Sequence, residues 1–210
     1  MSLDDLIAKI FTTPEAKEVL KIVTRYASQC DSFIEFGSRG GVSAAAVFKG
    51  LLAKKREFQP RFVAVDLVND DSIKTLGILA EKSGISFHFW NGHTRHYPIH
   101  ETDGFVWDTF HTGGALLADL TRIAPHIQKC IFILGVGTHG ETSVAVKRNM
   151  DIATVARELM VTEDDVKTGL NQGIREFLQK NTDWREAERH GEIVVLERIK
   201  PAVRRLFPSN

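Results

Sequence analysis

Apolar residues at the start of the chain fall at Leu3, Leu6, Ile7, Ile10 and Phe11, the spacing of one helical face. Thr13-Pro14 then reads as an N-cap followed by proline at the first helical position, where a missing N–H costs nothing. Ala16, Val19, Leu20, Val23 and Ala27 carry the inner face of this second helix. From residue 33 the pattern changes to short apolar runs separated by helical stretches. The runs 33–36, 61–67, 85–90, 104–108 and 130–134 predict five strands, with helices over about 44–54, 71–83 and 114–125 between them. Strands alternating with helices of that length imply right-handed crossovers and a parallel sheet covered on both faces.

The last third abandons this alternation. Ile152, Val155, Ala156 and Leu159 mark a short helix. Thr162 caps a longer one, in which Glu163, Asp164 and Asp165 suit the positive N-terminal end and Val166, Leu170, Ile174, Phe177 and Leu178 form the inner face. WREAERHGEIVVLERI then predicts an antiparallel hairpin about a tight His190-Gly191 turn. The fold class expected is α/β, a Rossmann-like three-layer sandwich whose mostly parallel seven-stranded sheet ends in an antiparallel hairpin. An N-terminal helical cap would span 1–29 and the main domain 30–210. Ligands of such sheets bind beyond the carboxyl ends of the strands.

Composition narrows the function classes. With 43% hydrophobic and 26% charged residues in 210, the chain can bury a core, which excludes long disorder. Twenty-seven Lys+Arg against 27 Asp+Glu leave no broad basic footprint, so no nucleic-acid partner is expected. No run approaches the roughly 18 apolar residues of a membrane span, so no membrane partner is expected either. The opening MSLDDLIAKIF has two Asp before its only Lys and no small-residue cleavage site, unlike a secretory signal. Cys30 and Cys130 each begin an apolar run and read as two buried thiols in a reducing compartment. A cytoplasmic protein is the expectation.

The densest chemical signal is FIEFGSRGGVSAAAVF, residues 33–48. A strand runs through Glu35 into the turn Gly37-Ser38-Arg39-Gly40-Gly41, and a small-residue helix starts near Ser43. Glycines admit positive φ and let a ligand approach the backbone, while the helix amides favour an anionic group. The glycines at 37, 40 and 41 do not follow the G-x-G-x-x-G spacing of dinucleotide-binding folds, which speaks against a nicotinamide oxidoreductase. The pattern from Glu35 through Gly37 and Gly41 to Ser43 instead resembles class I S-adenosylmethionine-dependent methyltransferases, in their small-molecule and sugar O-methyltransferase branch. The likeness extends over about residues 30–200, including the GLNQGIREFL helix and the terminal hairpin.

The resemblance implies S-adenosylmethionine as cofactor. Glu35, Gly37, Ser38, Gly41 and Ser43 would hold its methionine part. Asp66, ending the strand VAVDL, would accept both ribose hydroxyls. After the third strand the family carries Gly-Asp-Ser/Thr near the adenine amine; Asn91-Gly92-His93-Thr94 puts His93 in the acid's place.

Asp103-Gly-Phe-Val-Trp-Asp108-Thr-Phe-His111 resembles the family segment beside the transferred methyl group. Methyl transfer is an in-line displacement, so the protein must align the partners and deprotonate an acceptor hydroxyl. His111 is the candidate base, and Asp108 would orient that imidazole, touch the cofactor or bind a metal. In metal-assisted relatives the fifth strand ends in His-Asp-Thr, whose Asp ligates a divalent cation. Here Gly135, Val136 and Gly137 stand there, and valine offers magnesium no oxygen. No residue is therefore assigned to a metal; catalysis is metal-free, or a divalent metal site is rebuilt with Glu141 or His139 as substitutes, or activity is lost. The spacing of His88, His93, His96 and His100 matches no standard zinc pattern.

The reading is a methyltransferase acting on a small-molecule or sugar hydroxyl, with an oligomer of identical chains as a further expectation. Val136 motivates the alternative, a catalytically inactive methyltransferase-fold protein kept for binding or assembly. A metal enzyme using the loop histidines is a third reading.

Overall fold

Two helices open the chain in the computed structural model, which describes residues 2–38, 40–55 and 57–199. Arg39, read above as part of the glycine turn, and residues 200–210 of the main domain lie outside the described residues. Helix α1 (Leu3–Ile10) starts on a capping box, with the Ser2 hydroxyl accepting from the Asp5 N–H and the Asp5 carboxylate from the Ser2 N–H. Helix α2 (Pro14–Ala27) starts as the sequence predicts, with Thr13 Oγ1 accepting from the Ala16 N–H and proline first.

Strand β1 (Ser32–Phe36), α3 (Val42–Leu52), β2 (Arg61–Asp66), α4 (Asp71–Lys82) and β3 (Ser86–Asn91) follow. A 3-10 turn at Thr94–His96 leads to β4 (Thr102–Trp107), α5 (Gly113–Ile123) and β5 (Ile127–Leu134). Beyond them come α6 (Val136–His139), α7 (Val144–Lys147), α8 (Ile152–Leu159), α9 (Glu163–Lys167), α10 (Leu170–Lys180), β6 (Trp184–His190) and β7 (Ile193–Arg198). The described strands form one seven-stranded sheet in the order β3-β2-β1-β4-β5-β7-β6. The first five are parallel, and β7 runs antiparallel to both β5 and β6. The winding direction reverses between β1 and β4, which opens a crevice at their carboxyl ends.

Alternation along β1 sorts the two cores. Phe33 faces a cluster with Phe62, Phe132 and the α3 alanines, which also takes in Leu3, Ile7, Phe11 and Val23 from the N-terminal helices. Ile34 and Phe36 face a second cluster with Trp107, Leu116, Ile174 and Phe177. Cys30 and Cys130 are both buried, their Sγ atoms 3.8 Å apart.

Three differences from the sequence pattern have physical causes. The helix predicted from Thr162 through Leu178 is two helices. Thr162 does cap α9, but the Thr168 carbonyl accepts the Gly113 N–H at 2.7 Å, and Thr168 bridges Thr142. A Cβ on Gly169 would overlap the Gly140 carbonyl, so the backbones meet too closely there for a continuing helix. Strand β5 begins three residues before the apolar run, because Ile127 pairs with Thr102 through backbone bonds while polar Gln128 and Lys129 mask the pattern. The one-turn helices α6 and α7 carry no periodic signal at all.

Candidate functional site

The glycine turn sits on the crevice because of what glycine omits. Gly37, Gly40 and Gly41 have φ of 81°, 77° and 65°, in the left-handed region. A Cβ on Gly37 would overlap the Asp108 carbonyl, so the turn lies directly against the end of β4. Gly41 is the N-cap of α3, and Gly40 faces open space. Across the turn, Asp66 Oδ2 accepts from the Ser38 N–H at 2.9 Å, and Oδ1 accepts from the Val68 N–H at 3.1 Å. Asp70 caps α4 through the Ile73 N–H, so Asp66 is not needed for that purpose. Its carboxylate faces the turn with lone pairs to spare.

Glu35 points from β1 toward α3 and is fully buried. The Ser43 hydroxyl donates to Oε1, whereas Oε2 has no well-aligned partner among the described residues. Burial pushes this carboxyl up to about 8; the Ser43 and Ser38 side chains oppose the shift, and Asp108 and Asp66 add to it. Ser38 Oγ is likewise buried without such a partner. The Ser38 side chain faces the Glu35 carboxyl, so two buried oxygens without a well-aligned partner among the described residues lie together beside one turn. Next to them, a cavity of about 80 Å³ has apolar walls from Phe11, Val23, Val42 and Val106, with Ser43 and Asp108 at its edge. A groove of about 390 Å³ flanks the other side of the turn, between Leu6 and Ile10 of α1 and Ser72 and Thr75 of α4.

His111 and Asp108 meet at the β4 end. Asp108 Oδ1 lies 3.2 Å from His111 Nε2, without the alignment of a hydrogen bond. The imidazole stands edge-on to Trp107, with centroids 5.7 Å apart at 88°, and stacks on His139 at 5.0 Å and 26°. Gly135, left-handed at φ 76°, leaves the room: a Cβ there would overlap the His111 ring. His139 Nδ1 is buried without a partner; burial, then His111, pushes its pKa down. The sequence reading named His139 as a neighbour but missed this stacking, for which the glycines around Val136 were the only signal. Val136 itself packs in the second core. Among the described residues no group of three or more His, Cys, Asp or Glu is placed to hold a metal ion.

His93 lies on the β3 side. Its Nδ1 accepts from the Arg95 N–H at 3.2 Å and caps the 3-10 turn. Register ties this segment to Asp66: Asn91 Nδ2 donates to the carbonyls of Asp66 at 3.2 Å and Leu67 at 2.8 Å. Leu67 and Val68, 64% and 63% exposed, add an apolar surface beside Asp66 that the sequence reading did not single out. The structure thus gathers Glu35, Gly37, Ser38, Gly41, Ser43, Asp66 and Asp108 around the ends of β1, β2 and β4. His111 stands on the β5 side and His93 on the β3 side.

No protein-family model matches the chain, and no curated protein matches it. Solved structures do. The O-methyltransferase from Bacillus cereus, in complex with S-adenosylhomocysteine, aligns with a TM-score of 0.54 at 13% identity, over 94% of this chain and 89% of that one. The O-methyltransferase TomG from Streptomyces achromogenes, in complex with S-adenosylmethionine, aligns at 0.53 and 14% identity, over 89% and 80%. The S-adenosylhomocysteine-bound methyltransferase PaMTH1 from Podospora anserina aligns at 0.52 and 12% identity, over 91% and 81%. The chain has the class I S-adenosylmethionine-dependent methyltransferase fold, and several of the structures it resembles are O-methyltransferases. No helix among the described residues is long and apolar enough to cross a membrane.

Proposed function

We propose that the chain binds S-adenosylmethionine across the ends of β1, β2 and β4 and methylates a hydroxyl of a small molecule. The observation that carries this reading is the glycine turn, left-handed at Gly37, Gly40 and Gly41, that Asp66 faces through the Ser38 N–H, with Glu35 Oε2 and Ser38 Oγ buried beside it without a well-aligned partner among the described residues. The residues present fit the cofactor. Asp66 has acceptor capacity for a ribose, the apolar cavity suits a methionine chain, and Ser43 and Asp108 offer polar atoms at its edge. When bound, this group supplies a methyl carbon on a sulfonium, open to in-line displacement.

The chain's own residues supply alignment and proton transfer. The turn and Asp66 fix the cofactor's position. His111, backed by Trp107 and His139, takes the acceptor's proton, and the Asp108 carboxylate, 3.2 Å from Nε2, stabilises the imidazolium that forms. A second reading, binding without catalysis, is favoured by the packing role of Val136.

Calorimetric titration with S-adenosylmethionine and S-adenosylhomocysteine tests the first claim. Binding is expected with both, weakened at least about ten-fold in Asp66→Ala by the lost charge-assisted bonds. Absence of heat and of any thermal shift would overturn it. His111→Ala should lower turnover across a panel of hydroxyl compounds far more than it lowers cofactor affinity. Cofactor binding without turnover on any panel member selects the second reading.

A further inference from the structure

Helix α5 carries a buried charged group outside the residues discussed so far. Asp119 is 3% exposed, and its Oδ2 accepts from the Trp107 indole N–H at 3.0 Å. Its Oδ1 has no hydrogen bond, although Arg95 Nε lies 3.7 Å away. One turn on, Arg122 donates to the carbonyls of Thr94 at 2.6 Å and Tyr97 at 3.1 Å, while its Nε is also buried without a partner. Arg122 thus holds both ends of the 94–97 turn, and Asp119 of the same helix faces Arg95 between them. Burial pushes the Asp119 carboxyl up, with Arg95 opposing.

A carboxylate in such surroundings is destabilising unless it is fully paired, and an apolar residue of similar size would pack at less cost. What distinguishes Asp119 is what it holds. Arg95 follows His93 by two residues, and its N–H is the donor that His93 Nδ1 accepts. Trp107 is the ring that His111 stands against.

We propose that Asp119 is a positioning residue that fixes both sides of the site at once. Through Arg95 it sets the turn that follows His93; through Trp107 it sets the wall behind His111. The proposal rests on the reading above for what those two sides bind, but the link itself is a property of the ligand-free protein.

The test uses full-length protein and two substitutions. Asp119→Leu removes both the acceptor for the indole N–H and the charge facing Arg95. Arg95→Gln breaks the Arg95 contact from the turn, at a side chain 16% exposed, and decides the matter should Asp119→Leu fail to fold. Ring resonances of His93 and His111 and the indole resonance of Trp107 are followed by NMR without ligand, and S-adenosylhomocysteine affinity by calorimetry. Both variants should move the His93 and His111 resonances together and weaken affinity about ten-fold. Asp103→Asn, at the opposite end of β4, should move neither. Folded variants in which His93 shifts alone, or neither ring shifts, overturn the proposal. Wild-type protein that binds no S-adenosylhomocysteine overturns the cofactor reading instead, while the resonances still decide the link.

Discussion

Glu35 shows how one side chain records the packing around it. With its carboxyl pushed up to about 8 by burial, the folded protein holds a proton that the unfolded chain, near the ordinary value of 4.5, releases. Between those values the folded state binds more protons, so this group lowers stability as pH rises from about 4.5 to about 8, and the loss is complete above that. Glu35→Gln keeps an acceptor for the Ser43 hydroxyl and has no proton to lose. Denaturant unfolding at pH 5 should find the two proteins close. At pH 8.5 the variant should be the more stable, by a few kcal/mol. Parallel stability curves across that range would show that Glu35 is ionised throughout. Glu35 was legible in the sequence as an acid ahead of a glycine turn. Its protonation was not, because that depends on α3 lying close over β1 through its three alanines.

At the scale of elements, hydrophobic alternation exposed what long periodic segments encode and hid what tertiary bonds impose. The five parallel strands, the hairpin and the caps at Thr13 and Thr162 were readable. The break at Thr168-Gly169 was not, since its cause is the Gly113 N–H arriving from α5. Nor was α6, a single turn too short to form by propensity. That turn delivers His139 to His111, and Gly135 makes the delivery feasible. Gly135→Ala combines a left-handed backbone with an overlap on the His111 ring, whereas Gly191→Ala, at φ 50° with open space around it, meets the backbone term alone. Gly191→Ala should cost about 1 kcal/mol. Gly135→Ala should cost clearly more, roughly 2–4 kcal/mol, and should displace His111 from His139, visible as a changed ring-current shift. Equal costs with an unmoved His111 would mean that the loop yields freely and that the pair is not built by Gly135.

Over the whole molecule, the location of the candidate site followed from strand order, since a crevice forms where the winding reverses. The cluster around His111 was less legible, because Trp107, His111, Gly135 and His139 come together only once β4 and β5 are paired and α6 has turned. The N-terminal helices raise a related question of unity. Leu3, Ile7, Phe11 and Val23 lie in the same cluster as Phe33 of β1 and Phe132 of β5, and Phe11 also walls the cavity beside Ser43 and Asp108. A cap built into the main core should unfold with it. The tryptophans, Trp90, Trp107 and Trp184, all lie outside the cap, so their fluorescence reports the main domain alone, whereas far-UV circular dichroism also counts the helices α1 and α2. The two denaturation curves should coincide in the wild-type protein. Phe11→Ala should shift both together, by roughly 3–5 kcal/mol for a large buried ring. Helical signal lost ahead of tryptophan fluorescence would show instead that the cap opens by itself, leaving the cavity wall free to move without disturbing the sheet.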